Sequence, residues 1–153
     1  MPLRPERLAA PPDCQDDDPM VSTLMTTRVV AITPDAPVST ALNLMASAGV
    51  RHLPVLDGTR CRGVLREPDV IRHLLASPIS PVDRAATPVA RLTRPAASLP
   101  ASARRSDAAR CMDADTDAVL VTDRHGLVGI VTATDLIRSL AREAPRRPEW
   151  IRP

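Results

Sequence analysis

The sequence predicts an α+β fold in which two β-α-β-β-α repeats pack against each other with pseudo-two-fold symmetry. Two observations carry that expectation. The chain repeats itself: residues 33–45 (TPDAPVSTALNLM) align at a shift of 67 with residues 100–112 (PASARRSDAARCM), and Gly63, Val64, Leu65 and Asp69 align at a shift of 66 with Gly129, Ile130, Val131 and Asp135. Within each copy the apolar residues change from a helical period to short strand-like runs and back, which places helices and a small sheet in the same unit.

Each copy opens with a short extended piece, residues 29–32 in the first and 96–99 in the second. A helix follows. Val38, Ala41, Leu42 and Met45 fall at i, i+3, i+4 and i+7, as do Arg105, Ala108, Ala109 and Met112, so one stripe of each helix faces a sheet. Two strands come next, residues 52–56 with 62–65 and residues 118–121 with 127–131, separated by turn residues around Gly58 and Gly126. A second helix closes each copy, carrying Val70, Ile71, Leu74 and Leu75 in one and Leu136, Ile137 and Leu140 in the other. The expected organisation is an N-terminal arm at 1–19, a first domain at 20–76, a proline-rich linker at 77–88, a second domain at 89–142 and a tail at 143–153. The arm holds five prolines and the run Asp16, Asp17, Asp18, too polar to pack, and is expected to be mobile. The tail is proline- and arginine-rich, with Trp150 able to dock it.

Composition excludes several classes. At 153 residues with 44% hydrophobic content the chain can bury a core without staples. Cys14, Cys61 and Cys111 have neither disulfide nor zinc spacing and read as reduced thiols. No leader and no run of about 20 apolar residues is visible, so a cytoplasmic protein without a membrane partner is expected. All 20 basic residues are arginine, spread among 18 acids, and the chain has no Phe or Tyr, which weighs against nucleic acid as a partner. Heavy Ala, Arg and Pro usage without lysine points to a GC-rich bacterial genome. No GxSxG, HExxH, P-loop or paired-Cys pattern is present, and Cys111 beside Met112 reads as core, so an enzyme is not expected.

The stretches VSTLMT, VVAITPDAPVSTALNLMASAGVRHLPVLD and GVLREPDVI resemble the cystathionine-β-synthase (CBS) domain, and GLVGIVTATDLI resembles it again in the second copy; together they cover residues 21–140. The resemblance implies a tandem pair that regulates something else. Such a pair binds AMP, ADP, ATP, S-adenosylmethionine or a related ligand in clefts between the repeats and requires no cofactor. It also implies a flat homodimer, with the second helix of each repeat at the interface and the output delivered through an effector protein that this sequence does not identify.

Residues 129–135 (GIVTATD) match the ribose-phosphate motif of that family, a strand ending in Gly-apolar-x-Thr/Ser-x-x-Asp at the start of a helix. The unpaired N–H groups at a helix start favour phosphate, and a carboxylate one turn in can accept from ribose hydroxyls. Thr132 and Asp135 can equally be a capping box for their own helix. In the first copy Arg66 stands in place of the hydroxyl and Pro68 removes an N–H, so that half-site is degenerate; Asp69 remains. Arg66 either meets a phosphate or pairs with Glu67, Asp69 or Asp117 and fills the cleft, and the second is expected. Arg51 and His52 resemble the family's phosphate contacts and are expected to complement Thr132 and Asp135 from the other repeat, or else to be an ordinary strand end. Their counterpart Asp117 would repel phosphate, which leaves one anionic site per chain. Adenine contacts are expected on Ala97 and Leu99 of the entering segment and on Ile130 and Val131. His73 and His125 are expected on the surface. The rival reading is a ligand-free pair acting by dimerisation or by docking a partner.

Overall fold

The computed structural model describes residues 17–76 and 78–143. The rest of the arm and tail, with Cys14 and Trp150, lies outside them.

The first repeat holds α1 (Val38–Ala48), β1 (His52–Asp57), β2 (Arg60–Arg66) and α2 (Glu67–Leu75). After a further helix, α3 (Pro81–Ala86), the second repeat holds β3 (Ser98–Leu99), α4 (Arg105–Arg110), β4 (Ala118–Asp123), β5 (Gly126–Thr132) and α5 (Ala133–Glu143). This is the α+β plan of two like units. β1 and β2 form an antiparallel pair; β4 and β5 do the same, and β3 joins β4 in parallel. The likeness extends to defects. Each hairpin carries a register shift at the corresponding place, Val55/Leu56 and Val121/Thr122, because both repeats fit one extra residue into the last strand.

Local sequence accounts for most of these elements. α1 buries Val38, Ala41 and Met45 and ends at Gly49, whose φ of 67° supplies the left-handed cap. In the hairpin strands Leu53, Val55, Leu65, Val119, Val121 and Val131 have no exposed surface, so non-aromatic apolar side chains fill the two cores. α4 is shorter than its counterpart: Arg105 and Ala108 are buried, Met112 packs beyond the helix end, and Ala109, expected on the same stripe, faces solvent.

The two repeats exchange their leading segments. Val21, which begins the first repeat in sequence, lies in the core of the second with Ala108, Val121, Val131 and Leu136. Val89, which begins the second, lies in the core of the first with Val38, Met45 and Leu65. From there each segment runs along the last strand of the opposite hairpin: Thr26 and Ile130 exchange backbone hydrogen bonds of 2.9 and 3.1 Å, as do Arg94 and Val64 at 2.9 and 3.0 Å. A third cluster of Val64, Ala118, Leu120 and Ile130 joins the sheets. Each repeat is therefore completed by the segment leading into the other.

Two stretches outside the predicted repeats make defined contacts among the described residues. The linker contains α3, whose Ser80 hydroxyl accepts from the Asp83 N–H at 3.2 Å and whose Pro81 sits at the first helical position. α3 rests on α1 and α2. Residues 17–19 dock on the second repeat as the linker's end docks on the first: the Arg105 N–H donates to the Pro19 carbonyl at 2.8 Å, and the Val38 N–H to the Thr87 carbonyl at 2.9 Å. The Asp18 carboxylate accepts from the Ser106 N–H and hydroxyl at 2.8 and 2.6 Å. These bonds hold Asp18 below the usual carboxylate range against slight desolvation, with help from Arg105 and Arg104. Arg105, 9% exposed, bonds Glu143 at 2.6 Å, Ser139 at 2.9 Å and the Asp17 carbonyl, tying the two ends of the described chain together.

Candidate functional site

Two clefts open where the repeats meet, one at the end of each hairpin. The first, about 340 Å³, lies where β5 passes into α5. That volume falls within the range of small-molecule sites. Thr132 ends the strand, and Thr132 and Asp135 form a reciprocal cap: Asp135 Oδ2 accepts from the Thr132 N–H at 2.9 Å and its hydroxyl at 3.0 Å, and the Asp135 N–H points to the hydroxyl at 3.4 Å. The cap uses one carboxylate oxygen.

The opposite wall comes from the first repeat. The left-handed turn at Gly49 leads into Arg51 and His52 at the start of β1, and both line this cleft with Thr132, Asp135 and Ile130. The structure thus brings these residues of the two repeats to one cavity. Arg51 is 80% exposed and only 3.9 Å from Glu67, a weak pairing that leaves its guanidinium available. His52 is different. Its ring is 12% exposed and its Nε2 lies 2.8 Å from Asp117 Oδ1, so that nitrogen is already engaged.

Exchange of the leading segments determines what else reaches the cleft. The Thr26–Ile130 bonds bring Thr26, Arg28, Val29 and Val30 to its wall. Ala97 and Leu99 do not line it: the Ala97 carbonyl accepts from the Leu120 N–H at 2.9 Å, and Leu99 packs on the second core. Val131 is fully buried in that same core. Ala97, Leu99 and Val131, expected to contact adenine, therefore lie away from this cleft, and residues 28–30 line it instead, because each entering segment serves the opposite hairpin. Arg28, Thr134 and Arg138 are further members of the wall. Arg138 was legible in principle, standing three residues after Asp135 on the same helix face. Arg28 had no local signal.

The second cleft, about 380 Å³, lies where β2 passes into α2. Arg66 occupies the position of Thr132 and turns inward: its Nε is 3.4 Å from Asp117, and its guanidinium donates to the Asp115 carbonyl. Of the partners considered for Arg66, the structure selects Asp117. Asp69, 7% exposed, is gripped by both Nε and Nη2 of Arg94 at 2.8 and 2.9 Å and by Arg72 at 3.1 Å. Burial pushes the Asp117 carboxyl upward, but the His52 hydrogen bond and the charges of His52 and Arg66 outweigh it and hold Asp117 below the usual carboxylate range. The charges of this cleft neutralise one another.

His125 is exposed as expected, whereas His73 is half-buried, its Nε2 3.1 Å from the Arg84 carbonyl and 3.0 Å from the Thr87 hydroxyl, which pins the linker to α2. Cys61 and Cys111 are free thiols. Among the described residues no group of His, Cys, Asp and Glu could hold a metal ion, and no helix is long and apolar enough to cross a membrane.

The CBS domain family model matches residues 21–76 and 89–142. No curated protein matches the sequence. Among solved structures, a Methanocaldococcus jannaschii protein described as a candidate archaeal homologue of γ-AMPK superposes with a TM-score of 0.71 at 20% identity; 82% of this chain covers 49% of that one, so the chain spans about half its length. The CBS domain of a bacterial CNNM/CorC family Mg2+ transporter in complex with ATP superposes at 0.67 and 23% identity, covering 80% of this chain and 87% of that one. A CBS-domain containing protein from Agrobacterium tumefaciens gives 0.70 at 16% identity, with 79% and 92% covered. At these identities the likeness is one of fold.

Proposed function

The chain belongs to the CBS domain family as a tandem pair, a regulatory rather than catalytic arrangement, and we propose that it senses an adenine nucleotide or S-adenosylmethionine in the cleft at Thr132 and Asp135. The observation that carries this reading is the meeting of Arg51 from one repeat with Thr132 and Asp135 from the other around a single cavity. Asp135 retains an oxygen for ribose hydroxyls, and the N-terminus of α5 and Arg51 suit a phosphate. The nucleotide sits at one cleft only, since Arg66 pairs with Asp117 in the other and Arg94 on its wall is held by Asp69. The module works in the cytoplasm as a homodimer and passes its signal to an effector protein. Exposed Ile71 and Leu75 on α2 and Ile137 and Leu140 on α5 support the dimer, because they extend apolar surface from the second helix of each repeat.

A ligand-free pairing module is the second reading, favoured by the complete Thr132–Asp135 cap, which satisfies the helix without any ligand. A thermal-shift screen of the full chain with AMP, ADP, ATP and S-adenosylmethionine, repeated on Asp135→Ala and Asp135→Asn, separates the two. A ligand at 100 times its Kd stabilises the fold by about 2.7 kcal/mol. Asn keeps the cap, so loss of the shift in Asp135→Asn with an unchanged apo melting temperature supports sensing. No shift with any nucleotide on the wild type supports the ligand-free module.

A further inference from the structure

We infer that the Thr132 cleft selects for a ligand carrying several negative charges, a nucleoside di- or triphosphate, over a nucleoside monophosphate or S-adenosylmethionine, and that Arg28 and Arg138 set that preference. The inference rests on the nucleotide reading above and names its ligand class.

The argument is a comparison of charges in the two clefts. In the cleft at Arg66 each guanidinium is matched: Arg66 faces Asp117, and Arg94 grips Asp69. In the cleft at Thr132 three guanidinium groups, Arg28, Arg51 and Arg138, converge from three separate elements on a wall that holds one carboxylate, Asp135. Arg28 and Arg138 are exposed and make no ion pair among the described residues; Arg51 has only its 3.9 Å approach to Glu67. His52 adds no free donor at Nε2, which Asp117 already holds. The surplus is positive and unneutralised, on groups whose planar donor sets match phosphate oxygens.

A monophosphate at the start of α5 can meet Arg51 and still leave two guanidinium groups without a counter-ion. Each further phosphate supplies one, and a charge-assisted hydrogen bond strengthens binding well beyond an exposed ion pair. S-adenosylmethionine brings a sulfonium cation where the first phosphate would stand and only a single carboxylate beyond it, so it offers these arginines far less negative charge.

Isothermal titration of the full chain with adenosine, AMP, ADP, ATP and S-adenosylmethionine at two salt concentrations, repeated on Arg28→Gln and Arg138→Gln, tests this. The expected result is an affinity for ATP on the order of tenfold or more above that for AMP, falling with salt, with S-adenosylmethionine weakest. Each Gln variant then loses roughly threefold to tenfold for ATP and leaves adenosine unchanged, with an unaltered melting temperature. If AMP binds as tightly as ATP, if S-adenosylmethionine binds better, or if neither variant distinguishes ATP from adenosine, charge selection is overturned while the nucleotide site stands. If no compound binds the wild type, both are overturned.

Discussion

His52 and Asp117 join the repeats through a 2.8 Å contact between an imidazole Nε2 and a carboxylate oxygen, and Arg66 stands 3.4 Å from that same oxygen. The contact lies between the two clefts, since His52 lines both cavities. On one side of it Arg66 is paired with Asp117, while on the other Arg28 and Arg138 make no ion pair among the described residues.

The lowered Asp117 carboxyl gives this contact a pH signature. A carboxyl whose folded value lies below the unfolded one, about 3.9, adds stability above that value and loses it as pH falls through the folded value. Asp117→Asn should therefore cost about 1 kcal/mol near neutral pH, discounted for the partial exposure of the carboxylate. Its urea-unfolding stability should also decline less than the wild type's below about pH 4. Parallel acid profiles for the two proteins would show that the pair contributes nothing.

Gly63 and Gly129 occupy corresponding places beneath the exchanged segments, but their substitutions should differ. Gly63 has φ 140°, and a Cβ there would stand 2.1 Å from the Arg94 carbonyl oxygen, which is backbone and cannot yield. A Cβ on Gly129 would meet the Met25 sulfur at 2.6 Å and the Thr26 carbonyl oxygen at 3.1 Å, and the methionine can swing away. Gly63→Ala should cost about 3 kcal/mol or more and Gly129→Ala roughly 1–2 kcal/mol by chemical denaturation. Equal costs would refute the tight crossing at Arg94.

Arg105 is a buried cation whose partners come from both ends of the described chain. Arg105→Ala should destabilise by about 1–3 kcal/mol, because the Ser139 hydroxyl and the one-third-exposed Glu143 lose their partner and the buried stem its packing. Arg105→Met, which retains apolar volume, combined with Glu143→Gln should recover part of that loss. A loss below about 0.5 kcal/mol for Arg105→Ala would mean that the ends of the chain are held by other contacts.

The proposed dimer has its own test. Ile137→Asp with Leu140→Asp places charges on side chains 66% and 55% exposed, so the isolated fold should tolerate them. Light scattering should report half the wild-type mass, with the nucleotide shift retained. A wild type that is already monomeric sinks the dimer.

The repeat, the hairpins and the flanking helices were legible because each is specified by neighbours in sequence: the i, i+3, i+7 stripe of Val38, Ala41 and Met45 and the aliphatic runs of β1 and β4. The meeting of Arg51 and His52 with Thr132 and Asp135 was legible only through the family resemblance. α3 carried a readable signal in Ser80, Pro81 and Asp83, masked by the proline content around it.

By itself, then, the sequence determined two non-aromatic apolar cores, the place of the two helices and the hairpin in each repeat, and a hydroxyl and carboxylate spaced to cap α5, all of them consequences of spacing along the chain. Only the tertiary structure decided that Val21 and Val89 exchange cores, that Arg28 rather than Ala97 or Leu99 walls the Thr132 cleft, and that Arg66 is spent on Asp117. Those pairings join residues far apart in sequence, and no local period encodes which strand edge a segment will cover or which of many arginines will find a carboxylate.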